Sequence, residues 1–181
     1  MDTGLKAQAL SLRDAEEHDL PAVQAIYAHH VETGLGSFEE AAPGLGEMTR
    51  RFHAIRELGM PYMVAELAGE VRGFAYVARY RPRSAYRHTV ENSIYVDPAW
   101  HGQGIAAALL AALIERCTAA GYRQMVAVIG DSGNRASVRL HERLGFRLVG
   151  TLKTVGRKHG RWVDTVLMQR TLGAGDGPID D

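Results

Sequence analysis

The stretch Asn92-Ser-Ile-Tyr-Val-Asp-Pro-Ala-Trp-His-Gly-Gln-Gly-Ile-Ala106 decides the fold. Its first part belongs to a run, Thr89–Val96, rich in the β-branched and aromatic residues of a strand. Asp97-Pro98 stops that strand, because proline cannot donate to a ladder. Its second part, His101-Gly-Gln-Gly-Ile-Ala106, opens a helix over residues 104–119 that is rich in alanine and leucine and closed by Gly121. Gly102 and Gly104 permit φ values closed to other residues and let a ligand approach the backbone. The first turn of a helix carries N–H groups without intrahelical partners, and with the helix dipole they favour an anion, above all a phosphate. The stretch therefore builds a phosphate cradle, and Ala106, Ala107 and Ala108 leave room for a bulky ligand along the helix. Taken alone, it shows no more than an anion site, since a plain glycine-containing turn reads the same way. It is not a dinucleotide fingerprint, whose third glycine and acidic residue about 20 positions on are missing. It is not a P-loop either, since no Gly-Lys-Ser/Thr follows.

Upstream, residues 62–67 and 71–79 read as a hairpin around Ala68-Gly-Glu70, and Arg81-Pro-Arg-Ser84 breaks the chain before the next strand. Weak alternation predicts a first strand at residues 9–13. Asp14-Ala-Glu-Glu17 resembles a capping box, with Pro21 in the first turn of a helix whose Leu20, Val23, Ile26 and Tyr27 recur at helical spacing. Thr33-Gly-Leu-Gly-Ser37 ends that helix, and a second is predicted over residues 45–58, stopped by Gly59 with Pro61 beyond. Downstream come a strand at 124–129, a helix at 132–144 ended by Gly145, and strands at 146–155 and 162–169. The order β-α-α-β-β-β-α-β-α-β-β predicts an α/β domain of α+β type, with a mixed, twisted sheet of about six to seven strands and about four helices. Residues 1–173 read as one domain, with the first eight loose. The Gly/Asp-rich residues 174–181 read as a disordered tail.

The chain has 181 residues, 46% of them hydrophobic and 23% charged, which suits one domain that buries a core without disulfide or metal. Lysine plus arginine, 21, balance aspartate plus glutamate, 21, so the basic excess of a general nucleic-acid binder is missing. The single cysteine, Cys117, can form no intramolecular disulfide, and a reducing cytoplasm fits. It follows Leu109 and Leu113 at steps of four and reads as a buried, inert thiol. Residues 1–12 lack the basic start and apolar run of a signal peptide, and no stretch is long and apolar enough to span a bilayer. These features predict a cytoplasmic protein with neither nucleic-acid nor membrane partners. No metal site is expected, because no histidine pair has ligand spacing; the adjacent His29 and His30 point different ways on a helix.

Ile94-Tyr-Val-Asp-Pro98 followed by His101-Gly-Gln-Gly-Ile-Ala106 resembles the coenzyme A motif of the GNAT N-acetyltransferase superfamily, Gln/Arg-x-x-Gly-x-Gly/Ala, with His101 a departure at the first position. A second block, Asn134-x-x-Ser137-x-x-Leu140-His141-x-x-x-Gly145-Phe146, also matches and stands in the right order. The element order matches as well, over residues 9–170. The chain is more closely similar to the phosphinothricin and methionine sulfone/sulfoximine acetyltransferase branch. That likeness is carried by Tyr86-Arg-His-Thr-Val-Glu-Asn-Ser-Ile-Tyr-Val96, Leu140-His-Glu-Arg-Leu-Gly-Phe146 and Val155-Gly-Arg-Lys-His-Gly-Arg-Trp-Val-Asp164. The resemblance implies acetyl-CoA as co-substrate and direct transfer to the α-amino group of a small amino-acid-like substrate. It also implies a homodimer, for which residues 162–168 could supply the interface or equally be core. Acetylation of a protein N-terminus, a lysine or an antibiotic amine is an alternative; so is an inactive acyl-CoA-binding module.

Such a transfer needs a neutral amine, although a free α-amino group titrates near about 7.7–8.0. It needs a polarised carbonyl and a proton for the leaving thiolate. Glu91 is the candidate base, on the strand face shared with Ser93 and Tyr95, where burial would raise its pKa. By spacing alone it reads equally as a solvent-facing glutamate; the resemblance favours the base. The resemblance also implies that the Val96 N–H donates to the thioester carbonyl and that the strand around Glu91 to Val96 parts from its neighbour to admit the pantetheine arm, with Ile94, Tyr95 and Val96 among the cofactor contacts. His101, Gly102, Gln103, Gly104, Ile105, Ala106 and Ala107 would form the pyrophosphate cradle, with Ser137 among the cofactor contacts. Asn134 either bonds the pantetheine amides or caps its helix. His141 stands where many relatives carry a proton-donating tyrosine, or it is a surface histidine. Arg143 either reaches the 3′-phosphate or is solvated. Arg79, Arg81, Arg83 and Arg87 interleave with Tyr76, Tyr80 and Tyr86, suiting a carboxylate or phosphinyl/sulfonyl group, or else forming a solvated loop. Phe38 and Glu39 resemble the branch's substrate-covering loop, whose threonine-rich stretch is replaced here by Thr33-Gly-Leu-Gly-Ser37.

Overall fold

The structure, a computed structural model, describes residues 9–179. Its elements are β1 (Ser11–Asp14), α1 (Leu20–Thr33), α2 (Leu45–Glu57), β2 (Tyr62–Leu67), β3 (Glu70–Arg79) and β4 (Thr89–Val96). They continue with α3 (Ile105–Ala119), β5 (Gln124–Gly130), α4 (Arg135–Arg143), β6 (Arg147–Lys158) and β7 (Arg161–Thr171). The seven strands form one sheet in the order β1-β2-β3-β4-β5-β7-β6. Every neighbouring pair is antiparallel except β4 and β5, which α3 connects as parallel strands. This is the α/β domain with a mixed sheet that the sequence predicts.

Helices cover both faces because the central strands are apolar on both. On one face Met63, Ala65, Ala75, Val77 and Val90 pack with Leu109, Leu110, Leu113 and Cys117 of α3. Their strand neighbours Tyr62, Val64 and Phe74 point the other way, against Val23 and Tyr27 of α1 and Phe52 of α2. Helix α3 sits tight on the sheet at Gly73. A Cβ there would lie 3.0 Å from Ile105 Cγ2 and 3.1 Å from Tyr95 O, so only glycine lets the helix approach this closely. That approach fixes the start of α3, and hence the cradle, against the end of β4.

The single parallel pairing is short. Its register runs from Thr89↔Gln124 to Asn92↔Ala127, and beyond it β4 and β5 diverge. The strand opening expected near residues 91–96 therefore begins after Asn92.

Three expectations need correction. The cap before α1 is not built on Asp14, which ends β1; the N–H of Glu16 donates instead to Asp19 Oδ2 at 2.8 Å. The fourth helix starts at Arg135, because residues 131–134 are held as a turn by Asn134 N–H to Asp131 O, 3.0 Å. Residues 174–176, within the stretch expected to be disordered, lie in a turn: Gly175 N–H bonds Leu172 O and Gly177 N–H bonds Ala174 O, and just beyond it Arg123 holds Pro178 O at 2.9 Å. The expectations for residues 1–8 and 180–181 lie outside the described residues. Among those described, no helix is long and apolar enough to cross a membrane.

Candidate active site

The parting of β4 and β5 opens a cavity of about 940 Å³. Its walls are β4 from Glu91 to Val96, the turn at 101–104, the first turn of α3, the far end of β5, the inner face of α4 and the loop at 36–38. Asp97 N–H donates to Arg72 O at 2.8 Å, continuing the β3–β4 ladder. Alternation along that ladder turns the N–H groups of Ile94 and Val96 the other way, toward the gap. Backbone donors thus line a cleft where a neighbouring strand would otherwise take them.

At one end of the cleft lies the glycine turn. Gly102 and Gly104 have φ of 78° and 79°, in the left-handed region, while a Cβ on either would meet nothing within 4 Å. Conformation, not space, demands glycine here. The α3 ladder begins with Ala108 N–H to Gly104 O at 3.0 Å, so the N–H groups before it have no helical acceptor and point at the cavity. A pyrophosphate fits this end by charge and by donor set. Of the predicted cradle residues, His101, Gly102, Gly104, Ile105, Ala106 and Ala107 line the cavity and Gln103 does not.

Glu91 lies in the wall where β4 and β5 are still paired. Burial pushes its carboxyl above the usual carboxylate range, and the nearby Arg81 guanidinium pulls part of the way back. Asn92 and His141 form a chain across the gap. Asn92 Nδ2 donates to Val126 O at 3.2 Å, its Oδ1 lies 3.1 Å from His141 Nε2, and His141 Nδ1 lies 2.8 Å from Ser137 O. Both imidazole nitrogens face acceptor oxygens, which favours a protonated ring. Burial works against it and holds the pKa below the usual histidine value. His141 is 4% exposed, which rules out the surface reading.

Asn134 Oδ1 accepts from Ser137 N at 3.2 Å and so caps α4, while its side chain also borders the cavity with Ser137 and Arg143. Phe38 is in the wall; Glu39 is not. Its carboxylate is taken by Arg51, at 2.6 and 3.3 Å, and by the Tyr27 hydroxyl at 2.8 Å, so it fixes the loop rather than facing a substrate. The same loop is held from the far end of the chain. Lys158, 2% exposed, donates from Nζ to Ser37 O at 2.7 Å. The Phe38 ring fills the space that Cβ atoms on Gly130 and Gly156 would need, at 2.9 and 2.3 Å.

Arg79, Arg81, Arg83 and Tyr86 are exposed and do not line the cavity. Arg81 stacks on the Tyr80 ring at 4.3 Å and donates to Tyr80 O at 2.9 Å, and Tyr86 meets Tyr80 edge-on. The cluster flanks the Glu91 end instead of filling the pocket. Sequence reasoning missed Asn92, His30 and Lys158. The first had a signal, a polar residue on the strand face otherwise made of Val90, Ile94 and Val96; the other two had none before folding. Among the described residues, no group of three or more His, Cys, Asp or Glu side chains converges as metal ligands would.

A glycine cradle at the start of a helix, a splayed parallel strand pair and an acid beside the gap define an acyl-transfer fold of the coenzyme A type. The chain belongs to the acetyltransferase (GNAT) domain family, which it matches over residues 12–167. It is 53% identical over 173 residues to phosphinothricin N-acetyltransferase of Alcaligenes faecalis, covering 96% of this chain and 88% of that protein. It is 44% identical over 163 residues to the L-methionine sulfoximine/L-methionine sulfone acetyltransferase of Pseudomonas paraeruginosa, covering 90% and 94%. Its fold superposes with a TM-score of 0.91 on the crystal structure of a GNAT superfamily phosphinothricin acetyltransferase from Sinorhizobium meliloti in complex with acetyl-CoA, 46% identical and covering 94% of each chain.

Proposed function

We propose that the protein transfers the acetyl group of acetyl-CoA to the α-amino group of a small amino-acid-like acceptor, of the phosphinothricin, methionine sulfone or methionine sulfoximine type. The observation that carries this reading is the gap beyond Asn92, with donors along one wall, a phosphate cradle at one end and Glu91 near the other. Acetyl-CoA supplies the activated thioester. Glu91 accepts the amine's proton, directly or through water, as the nitrogen bonds to the carbonyl carbon and the carbon–sulfur bond breaks. The Val96 N–H, with that of Ile94 beside it, stabilises the oxygen's developing charge. His141, hydrogen-bonded through Asn92 and Ser137, is placed to give the leaving thiolate its proton. Asn134, Ser137 and Arg143 hold the cofactor from the α4 side, and Phe38 and the flanking Arg81 face the acceptor's approach.

The reading includes a cytoplasmic location, no nucleic-acid or membrane partner, and a homodimer. Leu148, Val149, Leu152 and Val155 of the edge strand β6 and Trp162 at the start of β7, all about half exposed or more, support the last. Val163, Val166 and Met168 are core, so the interface reading of residues 162–168 narrows to Trp162. Light scattering at micromolar concentration should return twice the mass of one chain; the mass of a single chain would remove the dimer from the proposal.

The deciding assay measures thiol release with phosphinothricin, methionine sulfone, methionine sulfoximine, a peptide amine and an aminoglycoside. The three amino-acid-like acceptors should dominate. A preference for the peptide or the aminoglycoside would overturn the acceptor class, and no release with any amine would overturn the activity.

A further inference from the structure

Two histidines meet one backbone carbonyl at the end of β4. His30, in the last turn of α1, brings Nε2 to 2.8 Å from Val96 O. His101, at the entry to the cradle, brings Nε2 to 3.2 Å from the same oxygen. The two rings stack with centroids 5.9 Å apart and an interplanar angle of 26°. A carbonyl oxygen only accepts, so each Nε2 must carry the hydrogen. The peptide bearing this oxygen is held on its other side as well, by Asp97 N–H to Arg72 O at 2.8 Å.

This is the place where β4 most needs holding. Its ladder with β5 ends at Asn92, four residues earlier, so β3 alone pairs with the last turn of the strand. A strand end paired on one side swings more freely than one paired on both. Two imidazoles replace the missing ladder bonds at one atom, and they come from separate elements, α1 and the cradle turn. Tyr27 of α1 adds a ring contact to Tyr95 at 4.9 Å, which keeps α1 seated on the same strand end.

We propose that His30 and His101 are paired positioning residues that lock the end of β4 and so keep the Val96 N–H aimed at the reacting carbonyl. This rests on the acetyl-transfer reading above. Neither ring has to touch the acyl group, since both act through Val96, whose carbonyl and N–H lie on the same side of the extended strand. Because two donors share one acceptor, either can hold it alone, and their losses are coupled.

The test compares His30→Ala, His101→Ala, the double variant and His30→Gln, whose amide N–H has a reach close to that of imidazole Nε2. Turnover and KM come from thiol release, acetyl-CoA affinity from calorimetry and folding from thermal melts. Each single alanine variant should lower kcat about threefold, and the double variant by about 30-fold or more, beyond the product of the two. In His30→Ala, which leaves the cradle intact, acetyl-CoA affinity should change far less than kcat, and His30→Gln should recover most of the loss. In the wild-type protein, 15N shifts should place the hydrogen on Nε2 of both rings. Independent, multiplicative losses would overturn the lock. So would parallel losses of affinity and kcat in His30→Ala, or Nδ1–H tautomers. Absence of turnover by the wild-type protein with every amine would instead overturn the acetyl-transfer reading, and the tautomer measurement would still judge the lock.

Discussion

At the scale of single residues, Glu91 carries a cost that its proposed task explains. Its carboxyl is pushed above the usual range chiefly by burial, so the folded state disfavours its ionised form. That penalty grows as pH rises above the unfolded value, near about 4.3, and levels off above the raised folded value. Glu91→Gln removes it, and we expect a higher melting temperature at neutral pH together with turnover lower by about 100-fold or more, acetyl-CoA affinity being little changed. In the wild-type enzyme kcat/KM should fall as pH drops through the raised pKa, and a glutamine variant as active as wild type across pH would remove Glu91 from the mechanism. Asp164 is the opposite case. Thr154 N, Ser132 and Lys153 all donate to its carboxylate, and its pKa falls to about 2. Its contribution is therefore present above the unfolded value and lost as pH falls toward about 2. Melts of Asp164→Asn should lie below wild type at neutral pH, with the gap closing on acidification; a constant gap would contradict the assignment.

At the scale of elements, the glycine turn makes the sharpest claim. Gly104 precedes α3 with φ of 79°, a conformation that costs any L residue roughly 1–2 kcal/mol. Gly104→Ala should therefore lower stability by about 1 kcal/mol and weaken acetyl-CoA binding more than it affects the amine's KM. Calorimetry and melts on the same preparation check both. The element order was legible because hydrophobic period and glycine punctuation are local signals, and Thr89–Val96 and Tyr62–Leu67 emerge with the predicted bounds. The turn into α3 was legible for the same reason, since His101 through Ala107 lie on one short stretch. What stayed hidden depends on contacts between distant parts of the chain. No local pattern shows that Arg51 takes the Glu39 carboxylate, that Lys158 reaches the Ser37 carbonyl, or that His141 is buried against Asn92. The arginines near residue 80 show the converse: they are close in sequence to the site, but their strand end carries them to its flank and not into the cavity.

At the scale of the whole molecule, the sheet is two antiparallel blocks, β1 to β4 and β5 to β7, joined by one parallel pairing of four residue pairs. Helix α3 covers the join from one face, its apolar residues forming a single cluster with Val90 of the first block and Met125, Ala127 and Met168 of the second. A ligand lying in the gap beyond Asn92 touches β4 on one side and β5 and α4 on the other, so it bridges the blocks where the backbone does not. Binding to the folded state alone stabilises by RT ln(1 + [L]/Kd), about 2.7 kcal/mol at a hundredfold excess over Kd. Acetyl-CoA should thus raise the melting temperature and slow amide exchange in β4 and β5 on both sides of the opening. Protection confined to the cradle turn would show that the blocks are already rigidly joined. On the proposed reading the co-substrate is a removable mortar in the seam of its own catalyst: each departure of the thiol would loosen the masonry, and the next acetyl-CoA would reset it.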